Sequence, residues 1–438
     1  MLEEFAKISG AGIDEVRVLL VVLLHIPASF VYRAIPTSHA NANFTRKVFG
    51  ALVGLISDFY LFGVAGMTLL ITNVLSLYFV SQFCRDAKTT IKINFATFSF
   101  LCLINIWRLI VDYEGNTNNI CLLAMLTVPK QIYFNWHVFN LLKEKKETVP
   151  SILDYCCYIF NYVGSIASPI YSYVEFQHFI SQTHREEKVN VKAVLKKAGS
   201  GLLAMLIVIL GFNYLNLDLL LTSKFLELNV FYQIAYLTVG GILVRTKYYI
   251  IWHFCEIPAI VVNVRTSESN YTTYIKAISS RVVELNNSPK ARIEKWNMTI
   301  ARWLKDCFYM PLIEHHKVGK NQSSLITFIL SAFWHGFYPT YYISFFAINV
   351  LSITEKLMFH HPDLFKYFPS FFFRLQFDIS GLLFKRYLWR EWILVFKNVW
   401  MYYIWIFIVY YGAQALVSRK LRAEKAVGKP KSGATGTD

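Results

Sequence analysis

The residues best suited to chemistry lie in Ser331-Ala332-Phe333-Trp334-His335-Gly336-Phe337-Tyr338-Pro339. From residue 321 to residue 354 there is no Asp, Glu, Lys or Arg, and His335 is the only histidine. An ionisable group in so apolar a run is costly, and is a functional candidate for that reason. Apolar surroundings keep the imidazole uncharged, the form a general base requires. Gly336 and Pro339 break a helix, and a broken membrane helix is tolerated where it lines a protein-shielded or wet cavity. Against this stands a structural histidine hydrogen-bonded to Ser331 one turn back. Position alone leaves the two readings even.

A second element raises the odds. Asn297 precedes His335 by 38 residues, within Glu294-Lys295-Trp296-Asn297-Met298-Thr299-Ile300-Ala301-Arg302-Trp303-Leu304. An amide beside a neutral imidazole can orient it, or donate to an oxygen that gains charge during acyl transfer. Asn297-Met298-Thr299 is also a glycosylation sequon, but Asn43, Asn270, Asn286 and Asn321 begin sequons too. Trp296, Thr299 or Ile300, Trp303 and Cys307 recur at helical spacing, with Lys295, Arg302, Lys305 and Asp306 on other faces. That pattern predicts an amphipathic helix lying at the membrane interface, its tryptophans at head-group depth. Several signatures are absent: no His has an Asp five residues on, and there is no Gly-x-Ser-x-Gly elbow or phosphate-binding Gly-rich loop.

The scaffold these residues need is legible in the composition. Of 438 residues, 55% are hydrophobic, 17% aromatic and only 16% charged, against about 25% charged in soluble domains. The pattern predicts a polytopic, all-α integral membrane protein. Candidate spans are Val18–Tyr32, Val48–Val80, Asn94–Val111, Asn119–Leu142, Tyr155–Ile180, Leu202–Leu221, Val230–Val264, Ser323–Ile353, Phe371–Phe384 and Val399–Val417. Val48–Val80, interrupted by Ser57-Asp58 and Gly63, is long enough for two helices, so the expected total is about 10–11 crossings. Glu3, Glu4, Asp14 and Glu15 argue against a cleavable signal before the first span.

The formal charge of +16 comes from basic residues between apolar spans, which speaks for topology and anionic lipid rather than nucleic acid. Arg185, Lys188, Lys192, Lys196 and Lys197 mark one cytosolic loop. Arg419, Lys420, Arg422, Lys425, Lys429 and Lys431 mark residues 419–438 as a basic, disordered cytosolic tail following a membrane unit of residues 1–418. Seven cysteines show neither disulfide nor metal spacing, and neither His315-His316 nor His360-His361 makes a metal site. A proton-coupled transporter using His335 as a relay is the distant alternative, disfavoured by few membrane-depth acids and no repeat.

Trp296-Asn297-Met298-Thr299 with Trp303-Leu304, and Ser331-Ala332-Phe333-Trp334-His335-Gly336, resemble the membrane-bound O-acyltransferase family, in its lysophospholipid-acylating branch. Arg245-Thr-Lys247-Tyr248-Tyr249-Ile-Ile-Trp252-His-Phe-Cys-Glu256 looks like that branch's basic-aromatic motif. Tyr162-Val163-Gly164 with Pro169, Tyr171 and Tyr173 resembles its Tyr-Gly-Pro segment. The likeness covers residues 155–350, where the catalytic elements fall. Val261-Val262-Asn263 departs from the glycine-rich stretch usual after the glutamate.

The resemblance implies a central reaction chamber in which acyl-CoA donates its acyl chain to the free sn-2 hydroxyl of a lysophospholipid. His335 would be the general base, and Asn297 would position the reactants and stabilise developing charge. Trp296, Trp334, Lys247, Tyr248, Tyr249, Trp252, Tyr338 and Tyr341 would bind substrate or acyl-CoA, with Arg245, Arg281, Lys290 and Arg292 as further phosphate or topology charges. Glu256 calls for Lys247 or Arg245 as a salt-bridge partner. No metal or cofactor is implied, acyl-CoA being a co-substrate. Partners would be acyl-CoA, the lysophospholipid and membrane lipids, in the endoplasmic reticulum. The likeness is greatest to members acting on lysophosphatidylinositol with polyunsaturated acyl-CoA; lysophosphatidylcholine, -ethanolamine and -serine are the alternatives.

Overall fold

The computed structural model describes residues 3–4, 6, 12–36, 41–111, 120–144, 148–181, 187–368, 370–382 and 389–427. Among these there is no strand, only an isolated bridge between Arg265 and Tyr274. The order is α1 (Ile13–Ala34), α2 (Ala42–Ser81), α3 (Ala87–Val111), α4 (Ile120–Glu144), α5 (Ile152–Ile159), α6 (Tyr173–Ser181), α7 (Val191–Tyr214) and α8 (Val230–Val261). The short helices α9 (Ser280–Leu285), α10 (Pro289–Lys295), α11 (Met298–Leu304) and α12 (Met310–Glu314) follow. The chain then forms α13 (Lys320–His335), α14 (Pro339–Phe359), α15 (Phe371–Leu382) and α16 (Trp389–Val427).

Helix starts follow from local chemistry. Asn190 and Asn229 accept the backbone N–H of Ala193 and Tyr232 to cap α7 and α8. Ser288 caps α10 through the N–H of Ala291, with Pro289 as first residue. Each cap satisfies a donor that the helix leaves without a partner. As one rod, the 40-residue α2 would be about 60 Å long, twice the hydrocarbon thickness. It is kinked at Gly63 (φ 69°, ψ 174°), the interruption expected from the sequence.

Among the described residues, six helices are long and apolar enough to cross a membrane: α1, α2, α3, α7, α14 and the stretch Ile393–Glu424 of α16. The chain is a polytopic, all-α membrane protein. The other expected spans differ, for physical reasons. α4 and α8 are long enough but less apolar, because they carry charges (Lys130; Arg245 and Glu256) that are buried in protein. Tyr155–Ile180 is no crossing: α5 and α6 flank an irregular stretch in which Tyr162, Ile170 and Tyr171 are buried. Its apolarity comes from burial in protein. Ser323–Ile353 is broken at Gly336 into α13 and α14. α15, twelve residues and so about 18 Å long, is too short to span. Where a disordered tail was expected from residue 419, α16 continues to Val427; Lys429, Lys431 and the rest of 428–438 lie outside the described residues, as does Arg185.

α8 packs against α1, α7 and α15, while α3 packs on α4, and α14 on α13 and α16. The polar section after α8 is drawn inward. Arg302 of α11 makes two parallel hydrogen bonds to Glu175 of α6, of 2.7 and 2.8 Å. Glu175 also accepts the backbone N–H groups of Ser172 and Ser267. Burial pushes the Glu175 carboxyl up, but Arg302 and the backbone donors outweigh it and hold it below the usual range. The pair therefore contributes fully above the ordinary value of 4.5 and is lost as pH falls through the lowered one.

Breaking one side of a buried pair leaves an uncompensated charge. Arg302→Met should cost about 3–5 kcal/mol, and adding Glu175→Gln should recover part of that. Thermal unfolding of the detergent-solubilised single and double variants checks this; additive losses would contradict it.

Candidate active site

The expected amphipathic interfacial helix is two helices with a break between them. α10 ends at Lys295, and Asn297 adopts the left-handed conformation (φ 39°, ψ 55°) before α11 begins. Asparagine is among the few non-glycine residues that tolerate this conformation. The break is held by the backbone, since Met298 N–H donates to Ala277 C=O (2.7 Å) and Ser279 N–H to Lys295 C=O (3.0 Å). Thr299 Oγ1 accepts the Ile170 N–H at 3.1 Å and bonds Ser168 Oγ. Trp303 is fully buried and stacked on Phe98, so it does not face lipid. Its hydrophobic surface found a protein partner in α3 in place of lipid.

Glu256 governs the strand of backbone on which Asn297 leans. One carboxylate oxygen accepts the N–H groups of Ala277 (2.8 Å) and Ile278 (3.1 Å), and the other pairs with Lys197 of α7. The partner is therefore neither Lys247 nor Arg245. Arg245 instead forms two bonds to Glu284 (2.9 and 2.8 Å) and an ion pair to Asp378 (2.9 Å). Arg292, fully buried, bonds Asp378 at 2.6 Å and lies 4.2 Å over the ring of Phe377. Tyr249 donates to Glu284. Sequence reasoning missed Glu284 and Asp378, although an acid inside the apolar α15 was a readable signal.

His335 is the last residue of α13. Gly336 follows with φ 115° and ψ −164°, a region essentially reserved to glycine, and turns the chain into α14. The partly buried imidazole is surrounded by rings: Trp334 at 4.6 Å, Phe345 at 5.3 Å and Tyr341 at 5.5 Å between centroids. Trp334 is anchored by its Nε1–H to Met125 C=O (2.8 Å), and Tyr338 lies 5.9 Å from Tyr341.

A cavity of about 60 Å³ lies among the elements that carry these parts, with neither His335 nor Asn297 itself in its lining. It is lined by Arg245 and Tyr248 of α8, Ile293 and Trp296 beside Asn297, Phe328 and Phe345 of α13 and α14, and Phe377 of α15. His335 is seven residues after Phe328, hence on the same face of α13, and touches Phe345 directly. Asn297 follows Trp296, and its Oδ1 is buried without a hydrogen-bond partner. Trp296 in turn packs on Trp252 (4.9 Å), Tyr248 (5.8 Å) and Tyr249 (5.9 Å).

Not every candidate is drawn in. Lys247 is exposed and rests 4.9 Å over Phe212, about 160° around α8 from Tyr249, which packs on Trp296. Arg281 and Lys290 are exposed as well. His253 is buried and shares a hydrogen bond with Ser280 at 3.2 Å. Among the described residues no three His, Cys, Asp or Glu side chains gather as a metal-binding group.

His335 thus stands partly buried at a helix break inside a helical membrane protein, next to a side chain that lines a ring-rich cavity. Residues 68–413 match the membrane-bound O-acyltransferase family, and the chain belongs to it. The protein is thus an O-acyltransferase. It is similar to "Lysophospholipid acyltransferase" of Schizosaccharomyces pombe, 25% identical over 87% of this chain and 80% of the relative. A Saccharomyces cerevisiae protein of the same description is 24% identical over 77% of this chain and 61% of its own length. Human "Membrane-bound glycerophospholipid O-acyltransferase 2" is 23% identical over 82% and 74%.

The left-handed backbone at Asn297 allows side chain and conformation to be tested apart. Asn297→Gly keeps the conformation and should lower acyl transfer about 10²–10³-fold with unfolding temperature unchanged. Asn297→Ala should lose as much activity and a further ~1–2 kcal/mol of stability. An active Asn297→Gly enzyme would show the amide to be dispensable.

Proposed function

We propose that the protein transfers a fatty acyl chain from acyl-CoA to the free sn-2 hydroxyl of a lysophospholipid, as part of phospholipid remodelling in the endoplasmic reticulum. The observation carrying this reading is that the elements bearing Asn297 and His335 border one ring-lined cavity. The descriptions of the relatives, lysophospholipid and glycerophospholipid acyltransferases, support the acceptor class. Lysophosphatidylinositol, with polyunsaturated acyl-CoA, is the preferred pair, on the likeness of Tyr162-Val163-Gly164 and Pro169 to that subgroup.

In this mechanism the acceptor hydroxyl gives its proton to an imidazole nitrogen of His335. The resulting oxygen adds to the thioester carbonyl carbon, and Asn297 positions the reactants while charge develops. Collapse of the tetrahedral intermediate breaks the C–S bond; the thiolate of CoA leaves and takes the proton from the imidazolium. His335 sits at the carbonyl end of α13, whose partial negative charge favours that imidazolium by about 0.3–2 kcal/mol. Base catalysis supplies about 10²–10⁴-fold, and holding two lipidic substrates in one cavity supplies much of the remainder.

Microsomes containing the wild type or His335→Ala would be given labelled acyl-CoA and a panel of lysophospholipids. The wild type should incorporate label, most into phosphatidylinositol, and the variant about 10²–10⁴-fold less at equal expression. Greatest incorporation into another phospholipid would move the acceptor assignment to that head group. Equal incorporation by both proteins would remove His335 as base.

A further inference from the structure

Asn105, on α3, belongs to no motif, yet it stands beside the turn that follows the imidazole. It shares a helix face with Asn94, Phe98 and Leu101, all buried, so the face points into protein and not into lipid. Asn105 itself is 6% exposed. A Cβ built on Gly336 would stand 3.2 Å from its Oδ1, so the amide lies against the residue next to His335. Its Nδ2, a donor of two hydrogen bonds, is buried without a partner. Buried donors are nearly always satisfied, and a standing exception beside a reactive group calls for a functional account.

The reaction needs such a group. As the acceptor oxygen adds to the thioester, the carbonyl π pair moves onto its oxygen, and a donor fixed in a low-dielectric site lowers the barrier. His335 is occupied with the proton of the hydroxyl. Asn297 presents a buried partnerless Oδ1, an acceptor suited to orienting the hydroxyl. We propose that Asn105 is a further catalytic residue, its Nδ2 donating to the thioester carbonyl oxygen as that oxygen becomes an oxyanion. This rests on the acyl-transfer reading above. The electron balance is that of the mechanism already given: the C–O bond forms, the C–S bond breaks, and the pair held on the oxyanion returns to the carbonyl as thiolate departs.

The test compares the wild type, Asn105→Ala, Asn105→Asp and Asn105→Ser, using an acyl-CoA thioester and the dithioester in which sulphur replaces the carbonyl oxygen. Removing the donor should lower kcat about 10²–10³-fold in the alanine and aspartate variants while KM for acyl-CoA moves less than about threefold. The serine variant keeps a donor and should retain part of the rate. Because sulphur is the weaker acceptor, the wild type should favour the thioester, and Asn105→Ala should lose that preference. A prop for Gly336 would not move the preference. An unchanged kcat in Asn105→Ala, or a fall with the thioester preference intact, would overturn the assignment; should Asn105→Ala not fold, the loss of preference is read from Asn105→Asp, which also removes the donor. A wild type inactive on any acyl-CoA would remove the acyl-transfer reading along with this one.

Discussion

The structure depends on three carboxylates, Glu256 and Glu175 buried and Glu284 partly so, that satisfy backbone and arginine groups where a membrane protein cannot rely on water. Glu256 takes the N–H groups of Ala277 and Ile278, Glu175 takes those of Ser172 and Ser267 together with Arg302, and Glu284 takes Arg245. Irregular backbone inside the hydrocarbon zone is possible only when its polar groups find partners in the protein. These carboxylates allow the segment between α8 and α13 to fold inward as short helices. Ala277, held by Glu256, in turn holds Met298, and so fixes the conformation of Asn297. A residue that performs no chemistry thereby determines where the amide stands.

The cavity is assembled across the molecule. One large apolar cluster joins α2 to α6 with Trp303 and Phe308; another joins the start of α8 to α14, α15 and α16. Trp296 adds to a smaller cluster with Tyr249 and Trp252. His335 rides on α13 with Trp334 in the first cluster, while its ring neighbour Phe345 lies on α14, whose Val350 and Leu351 belong to the second. Apolar packing thus sets the distances, and the carboxylates set the local backbone. The two kinds of force divide the work because neither alone suits a chain in which lipid replaces water outside.

What the sequence disclosed follows the same division. The helix break at Gly336 and Pro339 and the kink at Gly63 were legible, because single residues dictate them. The all-α membrane character was legible because composition dictates it. Tyr155–Ile180 and the tryptophans of residues 296–303 misled, since apolar side chains look alike whether they meet lipid or protein. Ion pairs could not be read at all: Arg302 and Glu175 are 127 residues apart, and Arg292 and Asp378 are 86. Asn105 was invisible for a related reason, as only the fold brings α3 to Gly336.

The arginine cluster carries a consequence for the charge presented at the cavity wall. Arg245, which lines the cavity, and the fully buried Arg292 are both paired with Glu284 and Asp378. A phosphodiester drawn to either guanidinium would strand an acid in a medium that solvates it poorly, so attraction gained on one side is surrendered on the other. The charge at the cavity wall is thus already answered from within the protein, by acids carried on α9 and α15.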